Sequence, residues 1–262
     1  MGGTCAFCAR TATKLTKEHI FAGWVDKLYP RAASEKALCV ISRRDGSIKK
    51  YASLPFEQQV RVVCATCNNG WMNDLEGAVA PILGPMILHG RAVRLMPQVQ
   101  RTVAAWAIKT AFMIQHLRSD DRIVPDEEYH RFYADRQPSS KYQVWLAHRA
   151  SVIDQKGMAL VRSREQIIDE VSYDETVAEP EIRQMVADGC QVYRMTFALG
   201  RVAFVVFGHT FPNSFRVQLS PNMAKVIRRI WPVQDRTTWP PPLCIEEMGG
   251  FDALHDAFRV PR

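Results

Sequence analysis

The pattern of apolar and polar positions predicts a chain that begins with short strands and becomes helical after residue 67. Trp24 and Leu28 predict one helical turn, which Pro30 would end. Asp45-Gly46 favours a tight hairpin turn, because this dipeptide tolerates the positive φ that such turns need. The strand-like segments of this region are 17–21, 37–42 and 48–54. Residues 1–80 are therefore predicted to form a strand–strand–helix unit that carries an inserted hairpin.

Apolar residues at helical spacing follow. Trp71, Leu75 and Val79 recur at i, i+4 and i+8, which predicts a helix, and Gly84-Pro85 is expected to break it. A stronger apolar face extends from Val103 to Leu117, although Lys109 interrupts it. Pro and acidic residues at 125–128 predict the start of a further helix.

The remainder of the chain mixes strand and helix signals. Strands are predicted at 141–148, 158–161, 192–199 and 202–208, with Gly200 in a hairpin turn between the last two, and a helix at Asn222–Trp231. The expected fold class is α+β. The N-terminal module at 1–97 would precede a mixed α/β domain at 98–262, whose role is recognition, dimerisation or regulation.

Composition places the protein among ordinary globular chains. Of its 262 residues, 47% are hydrophobic and 23% are charged. No apolar run approaches the roughly 18 residues that span a bilayer, and no secretory signal is recognisable at the N-terminus. The expectation is a cytoplasmic protein with no membrane partner.

The charge balance points to a polyanionic partner at the N-terminal end. The net charge is +7, and residues 1–100 hold 13 Lys/Arg against 7 Asp/Glu. A basic segment of this kind is typical of nucleic-acid binding. The predicted hairpin adds a basic cluster that either contacts a phosphate backbone or is simply solvated: Arg43, Arg44, Lys49 and Lys50.

Cysteine spacing predicts a structural zinc site. Two CxxC pairs, Cys5/Cys8 and Cys64/Cys67, supply the four thiolates of a closed tetrahedral site. Four thiolates leave no open coordination position, so this zinc would hold the fold together and take no part in chemistry. The other three of the seven cysteines, Cys39, Cys190 and Cys244, are expected to be buried thiols.

Polar residues beside the cysteines suggest phosphodiester hydrolysis. A neutral His19 can accept a proton from an attacking water at physiological pH. Glu18 and Asn68 offer the hard oxygen ligands that Mg²⁺ or Mn²⁺ prefers, although Asn68 also suits a helix cap. Asn69, Asn73 and Glu76 add either a metal or phosphate contact or merely the polar face of a helix.

The order CxxC, acid-His-Ile, CxxCN resembles the HNH (ββα-metal) endonucleases, in particular the zinc-bound branch that contains recombination endonuclease VII. The match covers residues 5–79. The resemblance implies that His19 is the general base, that Glu18 and Asn68 hold a catalytic Mg²⁺ or Mn²⁺, and that residues 68–79 form the helix of the module. DNA is the expected substrate, in preference to RNA, and phage defence or mobile-element biology is the expected setting.

The sequence also departs from that family. Glu18 stands where Asp is usual, and Gln59 stands where an Asn is often found. An alternative therefore stays open, a zinc-stabilised nucleic-acid-binding or regulatory protein with a decayed or partner-activated site. A homodimer or a partner subunit is compatible with either function.

Overall fold

A computed structural model describes most of the chain. The described residues are 2–28, 37–42, 48–53, 56–118, 122, 124–150, 159–166, 184–185, 187–190, 192–212 and 222–256, and for 37–42, 48–53 and 159–166 only the backbone is described. The fold is mixed α/β with several small sheets.

The chain divides into two compact units. Unit 1 comprises residues 1–84 and 105–137, and unit 2 comprises residues 85–104 and 138–262. Two helices each contribute residues to both units. The domain division after residue 97 stays a prediction.

Unit 1 contains the cysteine pairs. Its N-terminal strands are β1 (Gly3–Thr4), β2 (Thr11–Ala12), β3 (Thr16–His19), β4 (Ala37–Ser42), β5 (Ile48–Ser53) and β6 (Gln59–Val63), with helix α1 (Gly23–Leu28) after β3. Each strand pairs with one other, as β1–β2, β3–β6 and β4–β5, all antiparallel. The predicted pairing of these two strands is confirmed, because Ser42 lies opposite Ile48; the predicted Asp45-Gly46 turn lies outside the described residues.

A long helical segment follows β6. It begins as α2 (Ala65–Cys67), passes through a π-helical turn at Asn68–Met72, and continues as α3 (Asn73–His89). A kink lies at Gly70, with φ −94° and ψ −114°.

The predicted break at Gly84-Pro85 is wrong. Helix α3 runs through both residues to His89. A proline inside a helix lacks one backbone hydrogen bond, but the apolar side chains on either side of it, Leu83, Met86 and Ile87, are buried. Their burial offsets the missing bond.

Two further helices complete unit 1, α4 (Pro97–Gln115), whose last eleven residues belong to this unit, and α5 (Asp126–Asp135). Both predicted helices are confirmed. Phe7, from the first CxxC pair, is fully buried between them and the π-helical turn. Its ring centroid lies 5.2 Å from Trp71, 5.4 Å from Tyr129 and 6.4 Å from Phe112. The first cysteine pair is thus anchored in the aromatic core of the unit.

Unit 2 is built on a five-stranded antiparallel sheet in the order β12-β8-β11-β10-β9. Its strands are β8 (Tyr142–His148), β9 (Ala159–Gln166), β10 (Val192–Leu199), β11 (Val202–His209) and β12 (Ile227–Trp231). A smaller sheet pairs β7 (Val93–Leu95) with β13 (Thr237–Trp239), and two short helices, α6 (Met223–Val226) and α7 (Gly250–Asp256), complete the described part. Every residue of β10 and β11 is buried, and Gly200 turns between them with φ +50°.

The predicted helix at Asn222–Trp231 is only partly correct. Residues 223–226 are helical, but 227–231 form edge strand β12, which pairs with β8. Ile227 and Ile230 are buried while Arg228 and Arg229 are half-buried. Pairing with a neighbouring strand therefore overrides the local helical pattern.

No helix among the described residues is long and apolar enough to cross a membrane.

We expect Phe7→Ala to lower the free energy of unfolding by about 3–5 kcal/mol, because it leaves a cavity among three aromatic rings. Urea unfolding of the zinc-loaded protein measures the change. Met96→Ala is the control, since Met96 is a large apolar residue that is 42% exposed, and it should shift stability by no more than about 0.5 kcal/mol. Equal effects of the two substitutions would contradict this account of the core.

Candidate metal centre and catalytic site

The four cysteines of the CxxC pairs converge at one point. The sulfur atoms of Cys5, Cys8, Cys64 and Cys67 all lie within 4.8 Å of one another. Zinc–sulfur bonds of about 2.3 Å in tetrahedral geometry place sulfur atoms about 3.8 Å apart. The Cys8 and Cys64 sulfurs are 3.7 Å apart, so the cluster can hold a structural zinc ion, as predicted.

Backbone geometry shapes the first knuckle. Ala9 N–H donates to the carbonyl of Cys5 at 3.0 Å, and Cys5 N–H donates to Arg10 at 3.0 Å. Ala9 has φ +57°, the left-handed conformation that reverses the chain directly after Cys8.

The second knuckle lies where a strand ends and a helix begins. Cys64 follows β6, and Cys67 lies in the first helical turn. Ala6 N–H donates to the carbonyl of Val62 at 2.8 Å, so backbone hydrogen bonding joins the two knuckles as well as the sulfurs.

The thiol environments differ. Burial raises the pKa of Cys67 and of Cys8. Burial also raises the pKa of Cys5, but backbone hydrogen bonds from Cys8, Cys64 and Phe7 lower that pKa by more in total. The net shift of the Cys5 pKa is therefore downward. At Cys8 and Cys67, zinc binding must therefore displace protons from thiols that favour their neutral form.

Glu18 and His19 occupy adjacent positions on β3 and face different surroundings. Glu18 is 7% exposed, whereas His19 is half-buried. Glu18 lies opposite Val60 and His19 opposite Gln59, and an irregularity in the pairing separates them from Thr16, which lies opposite Val63. Bulges of this kind redirect side chains beside functional sites.

His19 has a side-chain partner on the neighbouring strand. Its Nε2 atom lies 2.7 Å from Nε2 of Gln59. Gln59 is one of the departures from the HNH pattern noted in the sequence. In the structure it contacts His19, the predicted base.

Asn68 is the first residue of the π-helical turn, and its side chain contacts β3. Its Nδ2 atom donates to Thr16 Oγ1 at 3.1 Å, and Thr16 Oγ1 donates to the carbonyl of Val63 at 2.8 Å. A side-chain hydrogen bond from Asn68 also lowers the pKa of Glu18. These two residues, predicted to hold a metal ion, therefore lie close together.

A buried lysine completes this site. Lys109 of α4 is fully buried, and its Nζ lies 2.6 Å from Oε1 of Glu76 on α3 and 3.6 Å from Oε1 of Glu18. The side chain of Glu76 is 18% exposed and that of Glu18 is 9% exposed. Burial raises the pKa of Glu18, the Lys109 ammonium opposes that shift, and the Glu76 carboxylate adds to it.

Sequence reasoning missed the role of Lys109. It appeared only as an interruption of an apolar helix face, yet a lone charge in such a face is itself a signal, since buried ammonium groups are almost always paired. For Glu76 the sequence predicts either a metal or phosphate contact or a place on the polar face of a helix, but not its ion pair with Lys109. Of the predicted basic cluster, Arg43 and Arg44 lie outside the described residues, and the side chains of Lys49 and Lys50 are not described.

Comparison with the sequence profiles of known families, with curated proteins and with solved structures gave no match for this chain.

We expect the protein to bind one zinc ion per chain and Cys64→Ser to lose it, because three thiolates and a hydroxyl bind zinc far less tightly. Metal analysis after dialysis measures the content, and the loss should be accompanied by a lower melting temperature. Cys244→Ser is the matched control, since Cys244 lies outside the cluster, and it should keep its zinc. Full zinc retention by Cys64→Ser would refute the four-cysteine site.

Proposed function

We propose that this protein is a metal-dependent endonuclease of the HNH type that hydrolyses DNA. One observation carries the proposal. Beside the four-cysteine cluster, the paired strands β3 and β6 and the following helix bring the side chains of Glu18 and Asn68 close together, and His19 is the next residue along β3. Strand, strand and helix follow in the order of a ββα module, and the resemblance of residues 5–79 to that family supports the same conclusion.

In the proposed reaction, His19 acts as the general base. It takes a proton from a water molecule whose oxygen attacks the phosphorus, the bond from phosphorus to one ester oxygen breaks, and that oxygen leaves and takes up a proton from solvent. A base needs one ring nitrogen with a free lone pair. The Gln59 amide nitrogen faces Nε2 of His19. With the amide turned by 180°, its oxygen accepts from Nε2–H, and Nδ1 then keeps its lone pair for this role.

The donor set near His19 suits a hard divalent cation. Carboxylates of Glu18 and Glu76 and the amide of Asn68 are the ligand types that Mg²⁺ and Mn²⁺ prefer. Lys109 already places a positive charge beside both carboxylates, and this supports a position that attracts cations. A bound ion would neutralise charge that develops on the phosphate and the leaving oxygen.

A second candidate function is a zinc-stabilised nucleic-acid-binding or regulatory protein. The contact of Lys109 with both carboxylates favours it, because the carboxylates are already paired. Salt-dependent DNA binding without cleavage would support this candidate. Roles for unit 2 in recognition, dimerisation or regulation, and a role in defence, are compatible with either function.

We expect His19→Ala to lower plasmid cleavage in Mg²⁺ or Mn²⁺ by about 10²- to 10⁴-fold, the usual contribution of a general base. His89→Ala is the matched control, because His89 is an exposed histidine at the end of α3, and it should cleave at the wild-type rate. Both proteins must retain their zinc. Equal cleavage by His19→Ala and the wild type would exclude His19 as the base, and no cleavage by the zinc-loaded wild type would favour the second candidate function.

We expect Gln59→Ala to lower kcat by about 10- to 100-fold with little change in KM, because it removes the partner that orients the His19 ring. Steady-state kinetics on a short duplex measure both constants. Gln98→Ala, at an exposed glutamine on α4, is the control. An unchanged kcat would show that the contact with Gln59 does not position the base.

A further inference from the structure

We propose that the Lys109 ammonium and the catalytic divalent cation compete for the same two carboxylates, Glu18 and Glu76, so that Lys109 sets how much metal the site requires. The inference rests on the nuclease proposal, which assigns a cation to Glu18. It adds a residue from α4, outside the segment that resembles the HNH family.

The geometry of the three charged side chains carries the proposal. Lys109 Nζ lies 2.6 Å from Glu76 Oε1 and 3.6 Å from Glu18 Oε1, and the lysine side chain has no solvent exposure. The ammonium therefore cannot turn outward into water without a change in its surroundings. Its two nearest charged neighbours are the carboxylates on α3 and β3.

A divalent ion bound to these oxygens would lie close to the ammonium. Mg²⁺ sits about 2.0–2.1 Å from its oxygen ligands, and Nζ lies 2.6 and 3.6 Å from oxygens of these carboxylates. An ion held by Glu18 and Glu76 would therefore lie close enough to the ammonium for the like charges to repel strongly. Little water is present to screen them, because Lys109 and Glu18 are both buried. Binding of the ion therefore requires the ammonium to move off the carboxylates.

The charge balance supports exchange between the two cations. While the single ammonium is paired with the two carboxylates, the three groups together keep a net negative charge, which still attracts a cation. A divalent ion neutralises the pair fully, and the amide of Asn68, which already contacts Glu18, can add a ligand. Among the described residues, no third carboxylate, histidine or cysteine is grouped with this pair, so an ion would depend on the two carboxylates that Lys109 occupies.

The test measures Mn²⁺ binding to the zinc-loaded protein by the electron paramagnetic resonance signal of free Mn²⁺. We expect Lys109→Met to bind Mn²⁺ at least about tenfold more tightly than the wild type, because the buried Glu18 and the half-buried Glu76 lose their counter-charge. The double variant Lys109→Met with Glu18→Gln should lose this gain. An unchanged or weaker affinity in folded Lys109→Met would overturn the proposal.

The matched control is Lys27→Met, which removes an exposed lysine of α1 in the same unit. Its Mn²⁺ affinity should equal that of the wild type. A gain equal to that of Lys109→Met would mean that net charge alone controls binding, and would also overturn the proposal.

If Lys109→Met does not fold, a measurement on the wild-type protein tests whether the ammonium is displaced. In protein labelled with ¹⁵N-lysine, the ammonium resonance of Lys109 is followed during a Mg²⁺ titration. We expect the resonance to shift as the ammonium leaves Glu76. A resonance that stays unchanged at saturating Mg²⁺ would overturn the proposal.

Cleavage assays separate this inference from the proposed function. If the wild type cleaves DNA in Mg²⁺ while the Lys109 resonance does not move, the competition is refuted and the nuclease stands. If Mn²⁺ binds tightly to Lys109→Met and neither protein cleaves, the competition stands and the nuclease is refuted.

Discussion

The convergence of four sulfur atoms from two distant segments is the constraint on which unit 1 depends. Cys8 and Cys64 are 56 residues apart in sequence, and closing a flexible loop of that length costs about 3–4 kcal/mol of chain entropy. A structural zinc ion contributes about 10–16 kcal/mol of binding free energy at neutral pH. Metal binding therefore exceeds the cost of closure by a wide margin, and the intervening hairpin can be held without a large core of its own.

The same constraint fixes which side chains reach the candidate site. The first knuckle precedes β3 and the second follows β6, so closing the cluster also brings these strands together, and the hydrogen bond between Ala6 and Val62 fixes their alignment near the sulfurs. Side chains alternate along a strand, so a slip of one residue in β3 would exchange the faces of Glu18 and His19. The carboxylate would then become exposed and the imidazole buried. A structural metal that does no chemistry can thus determine where the side chains of Glu18 and His19 point.

The parts of this arrangement that could be predicted are those set by local chemistry. The cysteine pairs reveal their cluster because thiolates at CxxC spacing have few other uses in a reducing environment, and Asp45-Gly46 reveals the hairpin because it favours the turn. Lys109 could not be placed in the site, because its partners lie on β3 and α3, and no local pattern records contacts over such sequence separations. The strand at 227–231 was missed for the same reason, since its only distinguishing feature is the neighbouring strand β8.

Buried ion pairs give a reason to look beyond stability for the role of Lys109. Removing one partner of such a pair costs about 3–5 kcal/mol, yet replacing all partners with apolar residues of similar volume is often neutral or stabilising. Stability alone therefore does not require a lysine and two glutamates in this position. The carboxylates have a further use if they bind a cation, and the lysine then keeps them paired while no ion is bound. The exchange of Lys109 for a bound cation would then explain why these three charged residues are present, and their contribution to folding would be secondary.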